Sequence, residues 1–489
     1  MEHQGDHVTD GRTLVAGVDS STQSTKIVVC DAETGAVVRT ARAPHPDGTE
    51  VHPDRWWEAF EQARGDGILD GVAAIAVGGQ QHGMVAMDDA DTVVRDALLW
   101  NDTRSAGAAR ELTEDLGGTA AWVDAVGLVL VPSFTVTKLR WLARHEPENA
   151  ARVTRVVLPH DWLTGRILKQ GNGFQRWTTD RGDASGTGYW SAAEGDYRHD
   201  LLELAFGRSL EVPEVLAPAE AAGRTESGLL VAAGTGDNMG AALGLTLEPG
   251  DVVVSLGTSG TVFTPHGSAI RDESGAIAGF ADATGRHLPL MCTLNAARVL
   301  TASAAMLGVD LAELDRLALA ADPGAGGLTL LPYLDGERTP DLPDATGTLS
   351  GLTRTNATPE NLARATVEGM LCNLVAGVDA LRDNGVSVGR VLLIGGASAS
   401  RAVRETAPGL FRAPVVVPSP AEYVGVGAAR QAAWALSGAG EPPTWRLGID
   451  SEYDVPDDAT GASADVVGRY ADLLERLHAV RQGSPSPSR

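Results

Sequence analysis

The sequence predicts an α/β protein of two lobes, and three observations carry that prediction. Short apolar runs alternate with amphipathic helical stretches, the pattern of α/β architecture. Two strand–turn–strand hairpins of one plan occur far apart, at 14–31 and 251–264, each with a turn rich in Ser, Thr or Gly between β-branched strands. The 489 residues allow two or three domains at roughly 150 residues each. A duplicated lobe, with the halves meeting near residue 240, accounts for all three.

Residues 1–12 are polar and residues 482–489 read QGSPSPSR, so both ends are expected to be disordered tails. The first lobe, 13–240, opens with a strand at 14–19 that ends on Asp19, a polar turn at 20–25 and a return strand at 26–31. Further apolar runs at 72–77, 154–158 and 229–233 predict strands, most closed by Gly, Pro or a polar turn. The second lobe, 241–440, repeats the opening with a strand at 251–256, the turn Gly257-Thr258-Ser259-Gly260 and a return strand at 261–264. Thr358-Pro359-Glu360 supplies a capping hydroxyl and Pro at the first helical position, and Asn384-Gly385 supplies a stop; together they predict about 25 residues of helix. A strand at 390–394 then runs through Gly395-Gly396-Ala397-Ser398-Ala399-Ser400 into another helix. Residues 441–481 are read as a linker and a last helix, 462–480, that folds back on the body.

Charge narrows the partners. With 39 Lys and Arg against 64 Asp and Glu the formal net charge is −25, which disfavours extended phosphate polymers and anionic membranes and leaves small molecules. The polar N-terminus lacks the apolar core of a signal peptide, and no stretch reaches the roughly 18 apolar residues of a membrane helix. Cys30, Cys292 and Cys372 are far apart and form no metal or redox motif, so a reduced cytoplasm is expected, without disulfides or zinc. Only Lys26, Lys138 and Lys169 are lysine, every other cation being arginine.

Five segments can carry chemistry. In the first turn, Asp19 precedes Ser20, Ser21, Thr22, Ser24 and Thr25 and then Lys26; converging hydroxyls and amides can hold phosphate oxygens, and the carboxylate can hold Mg²⁺ directly or through water. Neither Walker nor GxGxxG spacing occurs, and a plain hairpin turn with an Asx contact fits the same residues. Gly257 and Thr258 in the second turn let backbone approach a ligand. Gly236-Asp237-Asn238 opens a helix, where the dipole and amide donors would keep Asp237 ionised to accept a proton from a hydroxyl, and Asn238 would serve neighbouring hydroxyls. Asp237 as a cap without chemistry fits equally well. Gln80-Gln81-His82-Gly83 with Trp100-Asn101-Asp102 makes a sugar surface of amides, an imidazole and an aromatic wall. Gly395 and Gly396, followed by a helix start near Ser400, leave room for a flat ring or ribose. Together these are the parts of phosphoryl transfer.

Two longer patterns extend this. Ser133-Phe134-Thr135-Val136-Thr137-Lys138-Leu139-Arg140-Trp141-Leu142, and the spaced set Gly347, Leu349, Gly351-Leu352, Asn361-Leu362 and Glu368, resemble the two signatures of the FGGY family of carbohydrate kinases, members of the actin-like ATPase superfamily. The resemblance runs from about 14 to about 438. It implies two actin-like (ribonuclease H-like) ATPase lobes, ATP in the cleft between them and the sugar on the N-terminal side. Gln80-Gln81-His82-Gly83, Trp100-Asn101-Asp102, Leu158-Pro159-His160-Asp161-Trp162-Leu163, Gly236-Asp237-Asn238 and the run 332–340 are most similar to the branch that phosphorylates D-xylulose at its terminal hydroxyl with ATP and Mg²⁺.

By that resemblance Asp237 is the general base, and Gln81, His82, Asp237 and Asn238, with Trp100, hold the sugar. Asp19 lies near the metal, while Thr22, Lys26, Gly257 and Thr258 face the phosphates and Gly395, Gly396 and Ser400 the adenine and ribose. Two departures stand out: Ser21 where the family more usually has glycine, and Gln81 where methionine is common; the polar amide could favour another stereochemistry at one hydroxyl. Kinases for another ketose, gluconate or a polyol remain alternatives, as does an actin-like ATPase that phosphorylates no sugar, and the chain could form a homodimer.

Overall fold

The computed structural model describes residues 11–457 and 461–479, so residues 1–10 of the expected tail 1–12, the expected tail 482–489 and the end of the last helix at residue 480 lie outside the described residues. Two seven-stranded sheets organise the chain. In the first, Leu14–Ser20 pairs antiparallel with Ser24–Asp31, which pairs antiparallel with Val37–Pro44; on its other side Leu14–Ser20 runs parallel to Val72–Gly79, followed by the parallel Leu230–Ala232 and the antiparallel edge Ala221–Arg224. The second repeats this order: Asp251–Leu256 pairs with Gly260–Phe263 and then His287–Thr293, and on the other side lie Arg390–Ile394, Val415–Pro418 and the antiparallel edge Ile449–Tyr453. The duplication expected from the hairpins is therefore a duplication of strand order. The central strands read as unbroken apolar runs because helices or the other lobe cover both faces.

One expected strand falls elsewhere. Arg155–Val157 pairs with Val85–Met87 in a separate two-stranded ladder, because both edges of Val72–Gly79 are already taken by Leu14–Ser20 and Leu230–Ala232. The capped helix forms as expected over Pro359–Asp383, with the Thr358 hydroxyl accepting from the Asn361 N–H at 3.2 Å and Gly385 at φ 84° beyond the stop. The last helix, Ala462–His478, does fold back, burying Val466, Tyr470, Leu473 and Leu474 in the core of the second sheet.

The lobes interlock. The helix Tyr423–Ser437, placed by sequence within the second lobe at 241–440, lies instead on the first sheet, where Ala428, Ala429, Ala432 and Ala433 pack with Val15, Val28, Ala74 and Ala76. Glycines make the approach possible: a Cβ on Gly17 would overlap the Gly425 carbonyl oxygen, and one on Gly427 would overlap that of Gly240 in the neighbouring helix Asp237–Gly244. From the other side, the strand Ala278–Ala281 of the second sheet donates through the Ala281 N–H to the Ser185 hydroxyl at 3.0 Å and through the Gly279 N–H to the Gly127 carbonyl at 3.0 Å. Among the described residues no helix is long and apolar enough to cross a membrane.

Because the obstructing atoms at Gly17 are backbone, Gly17→Ala is expected to destabilise the protein by about 3 kcal/mol, whereas Gly468→Ala, on an open helix face, is expected to stabilise it by about 0.5 kcal/mol. Chemical denaturation of the two variants checks this; equal midpoints would contradict the close approach.

Candidate active site

The opening strand carries Asp19 to the cleft, between Gly78 on the parallel side and Lys26 on the antiparallel side. Its buried carboxylate accepts from the Ser21 hydroxyl and lies 3.4 Å from the Lys26 ammonium; burial pushes its pKa up against both partners. Lys26 also donates to Glu422 at 2.5 Å, at the head of the crossing helix. The cation expected to be nearest the phosphates is thus already paired with two carboxylates. The Thr22 hydroxyl accepts from the Trp100 indole N–H at 2.8 Å and faces the Gln80 amide oxygen at 3.5 Å, so the first turn is tied to the sugar-type turn.

That turn is held from several sides. His82 adopts a left-handed φ of 69°, and its carbonyl accepts from the Thr135 hydroxyl at 3.0 Å. Its ring lies 5.1 Å from Phe134, edge on, and 5.7 Å from Phe280 of the second sheet. Nδ1 lies 2.9 Å from the Gly186 carbonyl. Burial, then the charges of Arg338 and Lys138, hold the His82 pKa well below its usual value, so the ring is neutral. A neutral ring that donates from Nδ1 to a carbonyl keeps Nε2 as an acceptor. Gln81 is buried; its oxygen accepts from Asn238 Nδ2 at 3.3 Å while its Nε2 has no protein partner, an orphaned donor that a ligand oxygen can satisfy.

Asp237 is the first residue of its helix, and its Oδ1 accepts from the backbone N–H and Nδ2 of Asn238 at 2.7 and 2.8 Å. Its pKa is pushed up to about 7, by burial first and then by the Asp19 charge. This corrects the expectation that the helix start keeps it fully ionised: the dipole and two donors do not outweigh desolvation and a second carboxylate. A value near neutrality still suits a general base.

Behind these turns lies a cluster that had no assigned role in the sequence, although His160 and Asp161 fall in one of the motifs that carry the resemblance. His160 places Nδ1 2.7 Å from Asp161 and 3.2 Å from Asp183, and Nε2 3.2 Å from Asp180, all buried. Burial opposes its charge, but the carboxylates outweigh burial and keep it protonated. A Cβ on Gly79 would stand 2.8 Å from His160 Cβ, and one on Gly234 2.6 Å from its Cδ2, so the sugar-type turn and the Asp237 turn both rest on this ion cluster. Lys138 is buried too, donating to the Pro132 and Ser133 carbonyls at 2.6 and 2.7 Å, with burial lowering its pKa to about 7.

In the second lobe the carbonyls of Gly257 and Thr258 accept from Ala297 N–H at 2.9 Å and Arg298 Nε at 3.3 Å. Arg298, a cation beside this turn, had no sequence signal. A Cβ on Gly395, at φ 88°, would lie 2.6 Å from the Leu256 carbonyl carbon, while one on Gly396 would meet nothing within 4 Å. The two glycine turns therefore touch, and Gly396 is open to a ligand. Ser400 is different: its hydroxyl caps the helix Arg401–Phe411, accepting from Val403 N–H at 3.1 Å, and donates to Asp315. The hydroxyl expected to face the ribose is occupied by that cap.

With this geometry in place, comparison with known proteins is informative. The N-terminal domain of the FGGY family of carbohydrate kinases matches residues 14–244 and the C-terminal domain of that family matches 252–436. The chain is 43% identical over 490 residues to a xylulose kinase of Streptomyces coelicolor, covering 96% of this chain and 98% of that one. It is 44% identical over 484 residues to a xylulose kinase of Streptomyces rubiginosus, covering 96% and 95%. The crystal structure of xylulose kinase from Bifidobacterium adolescentis aligns with a TM-score of 0.86 at 47% identity, covering 93% of this chain and 99% of that one.

For Ser400, Ser400→Ala is expected to cost about 1 kcal/mol of stability, as for loss of a helix cap, with KM for ATP changed by less than about twofold. Denaturation and steady-state kinetics measure the two; a tenfold rise in KM with unchanged stability would return the hydroxyl to the nucleotide.

Proposed function

The chain belongs to the FGGY family of carbohydrate kinases, and on that footing we propose that it transfers the γ-phosphoryl group of ATP to the terminal hydroxyl of D-xylulose, giving D-xylulose 5-phosphate. The observation that carries the reading is the juxtaposition at Asp237: a carboxylate with a pKa of about 7, hydrogen-bonded to Asn238, which in turn contacts a Gln81 whose amide donor is buried and unpartnered. The 43–44% identity to the two Streptomyces xylulose kinases supports the choice of sugar.

In this mechanism Gln81 Nε2 donates to one sugar oxygen and His82 Nε2 accepts from a hydroxyl, while Trp100, tied to Thr22, walls the site. These contacts fix the sugar so that its terminal hydroxyl faces Asp237. Asp237 takes the proton as the hydroxyl oxygen attacks the γ-phosphorus, and ADP leaves. Backbone amides of the Gly257-Thr258 turn and the hydroxyls of the first turn receive phosphate oxygens, and the Gly395-Gly396 turn receives the base. Asp19 suits Mg²⁺, since one buried carboxylate satisfied only by a serine and a lysine matches an ion that keeps water and phosphate in most of its shell; bound there, the ion would neutralise charge on the triphosphate. Water exclusion falls to the interlocked lobes, so that the sugar hydroxyl reacts in its place.

Asp237→Asn is expected to fold normally and to lower kcat by about 10²–10⁴, as for loss of a general base; near wild-type turnover would refute the role. Because the base must be deprotonated, kcat/KM for the sugar is expected to rise about tenfold from pH 6 to pH 8, following a group with pKa about 7, and a flat profile would assign the proton elsewhere. His82→Ala is expected to raise KM for the sugar more than it lowers kcat. The substrate itself is tested by ADP release with Mg-ATP against ketopentoses, aldopentoses, gluconate and glycerol: stimulation by D-xylulose supports the reading, stimulation by another sugar replaces it, and sugar-independent hydrolysis alone would favour a plain ATPase.

A further inference from the structure

The run 332–340 of the second lobe contains an arginine without its expected partner. Glu337, next to it in sequence, is buried and fully used: Oε1 accepts from the N–H groups of Leu294 and Arg338 at 2.6 and 2.8 Å, and Oε2 from Asn295 Nδ2 and Asn373 Nδ2 at 3.0 and 2.8 Å. Asn295 Nδ2 also donates to the Gly336 carbonyl at 2.7 Å. Four donors on one carboxylate fix the backbone of Gly336, Glu337 and Arg338, and they leave Glu337 little capacity to accept from the neighbouring guanidinium. Among the described residues Arg338 forms no ion pair, although it is half-buried. A half-buried guanidinium with no carboxylate partner, facing a cleft, has donors left to offer a ligand.

The strand register shows where it points. The backbone N–H of Arg338 shares Glu337 Oε1 with that of Leu294, which sets Arg338 close to Cys292 on His287–Thr293, opposite Thr261. Leu288, Leu290 and Cys292 alternate onto one face of that strand, and Leu288 is paired with Phe280, whose ring lies against His82. All four belong to or pack on the apolar cluster shared with Phe134 and Met239 of the first lobe. Arg338 and His82 thus border one face between the lobes, and the charge of Arg338 helps keep His82 neutral. Their hydrogen-bonding characters are complementary. Arg338 can only donate; His82 Nε2, with Nδ1 committed to Gly186, can only accept.

We propose that Arg338 is a sugar-binding residue contributed by the second lobe, donating to a sugar hydroxyl that in turn donates to His82 Nε2. The inference rests on the sugar-kinase reading above. It makes the second lobe part of the sugar site as well as of the nucleotide site, so the sugar is fully held only when the lobes are together.

A double-mutant cycle tests it, run with whichever sugar stimulates ADP release by the wild type, so that a wrong choice of sugar is separated from a wrong role for Arg338. Arg338→Gln is expected to raise KM for the sugar at least tenfold while changing KM for ATP less than twofold, and Arg338→Lys to recover part of the loss. Arg338→Gln combined with His82→Ala is expected to cost at least threefold less than the product of the single effects, because both act on one hydroxyl. Among monodeoxy sugars, one is expected to lose most of its discrimination between wild type and Arg338→Gln. Additive effects, or a fall in kcat with unchanged sugar KM, would overturn the proposal, the latter placing the guanidinium on the transferred phosphoryl group. Should Arg338→Gln fold poorly by thermal denaturation, Arg338→Lys with the deoxy series decides between the same outcomes.

Discussion

Backbone lying directly on backbone is the constraint from which the rest follows. A Cβ on Gly17 in the opening strand, on Gly244 in the short helix behind Asp237 or on Gly427 in the crossing helix would overlap a backbone carbonyl oxygen across the contact, that of Gly425, Tyr423 and Gly240 respectively. The contact seats the helix Tyr423–Ser437 on the first sheet and presses Asp237–Gly244 against it. It therefore sets the position of both carboxylates of the site, since Asp19 ends the strand under the crossing helix and Asp237 begins the helix beside it. Their mutual repulsion, added to burial, is what brings Asp237 near neutrality.

Charge in this acidic chain is managed locally. Lys26 is shared by Asp19 and Glu422, His160 by three aspartates, and Glu337 by four neutral donors. Each arrangement sets opposite charge or donors beside a group that burial would otherwise penalise, and each lies against a turn that lines the cleft. Net charge thus says little about a site whose walls are made of amides, one neutral imidazole and paired ions.

How much was legible in the sequence depended on how local the signal was. The hairpins, the Thr358 cap and the Gly385 stop are short-range features, and they appeared where periodicity and turn chemistry put them. Asp19, Gln81, His82, Asp237 and Asn238 could be named because each follows a strand or opens a helix at a polar turn, and Gln81, Asp237 and Asn238 are joined by hydrogen bonds. What escaped is long-range. The path of the crossing helix depends on glycines about 400 residues apart; the partner of Lys26 is Glu422; the use of Ser400 depends on Asp315; and the ionisation of Asp237 depends on a carboxylate in another strand. The peculiarity of Arg338 is likewise invisible in a sequence that sets it beside a glutamate.

The crossing helix also has a consequence for synthesis. The face of the first sheet with Val15, Val28, Ala74 and Ala76 is covered by residues that come late in the chain. Once Gly244 has been made, some 190 further residues must be added before Ser437 emerges, a delay of roughly 10–40 s at about 5–20 residues per second. During that interval a nearly complete half-molecule presents an uncovered apolar sheet on the ribosome. The lobes are thus one unit in translation as well as in the finished structure, and a chain cut between them would leave the first half in its nascent, exposed form.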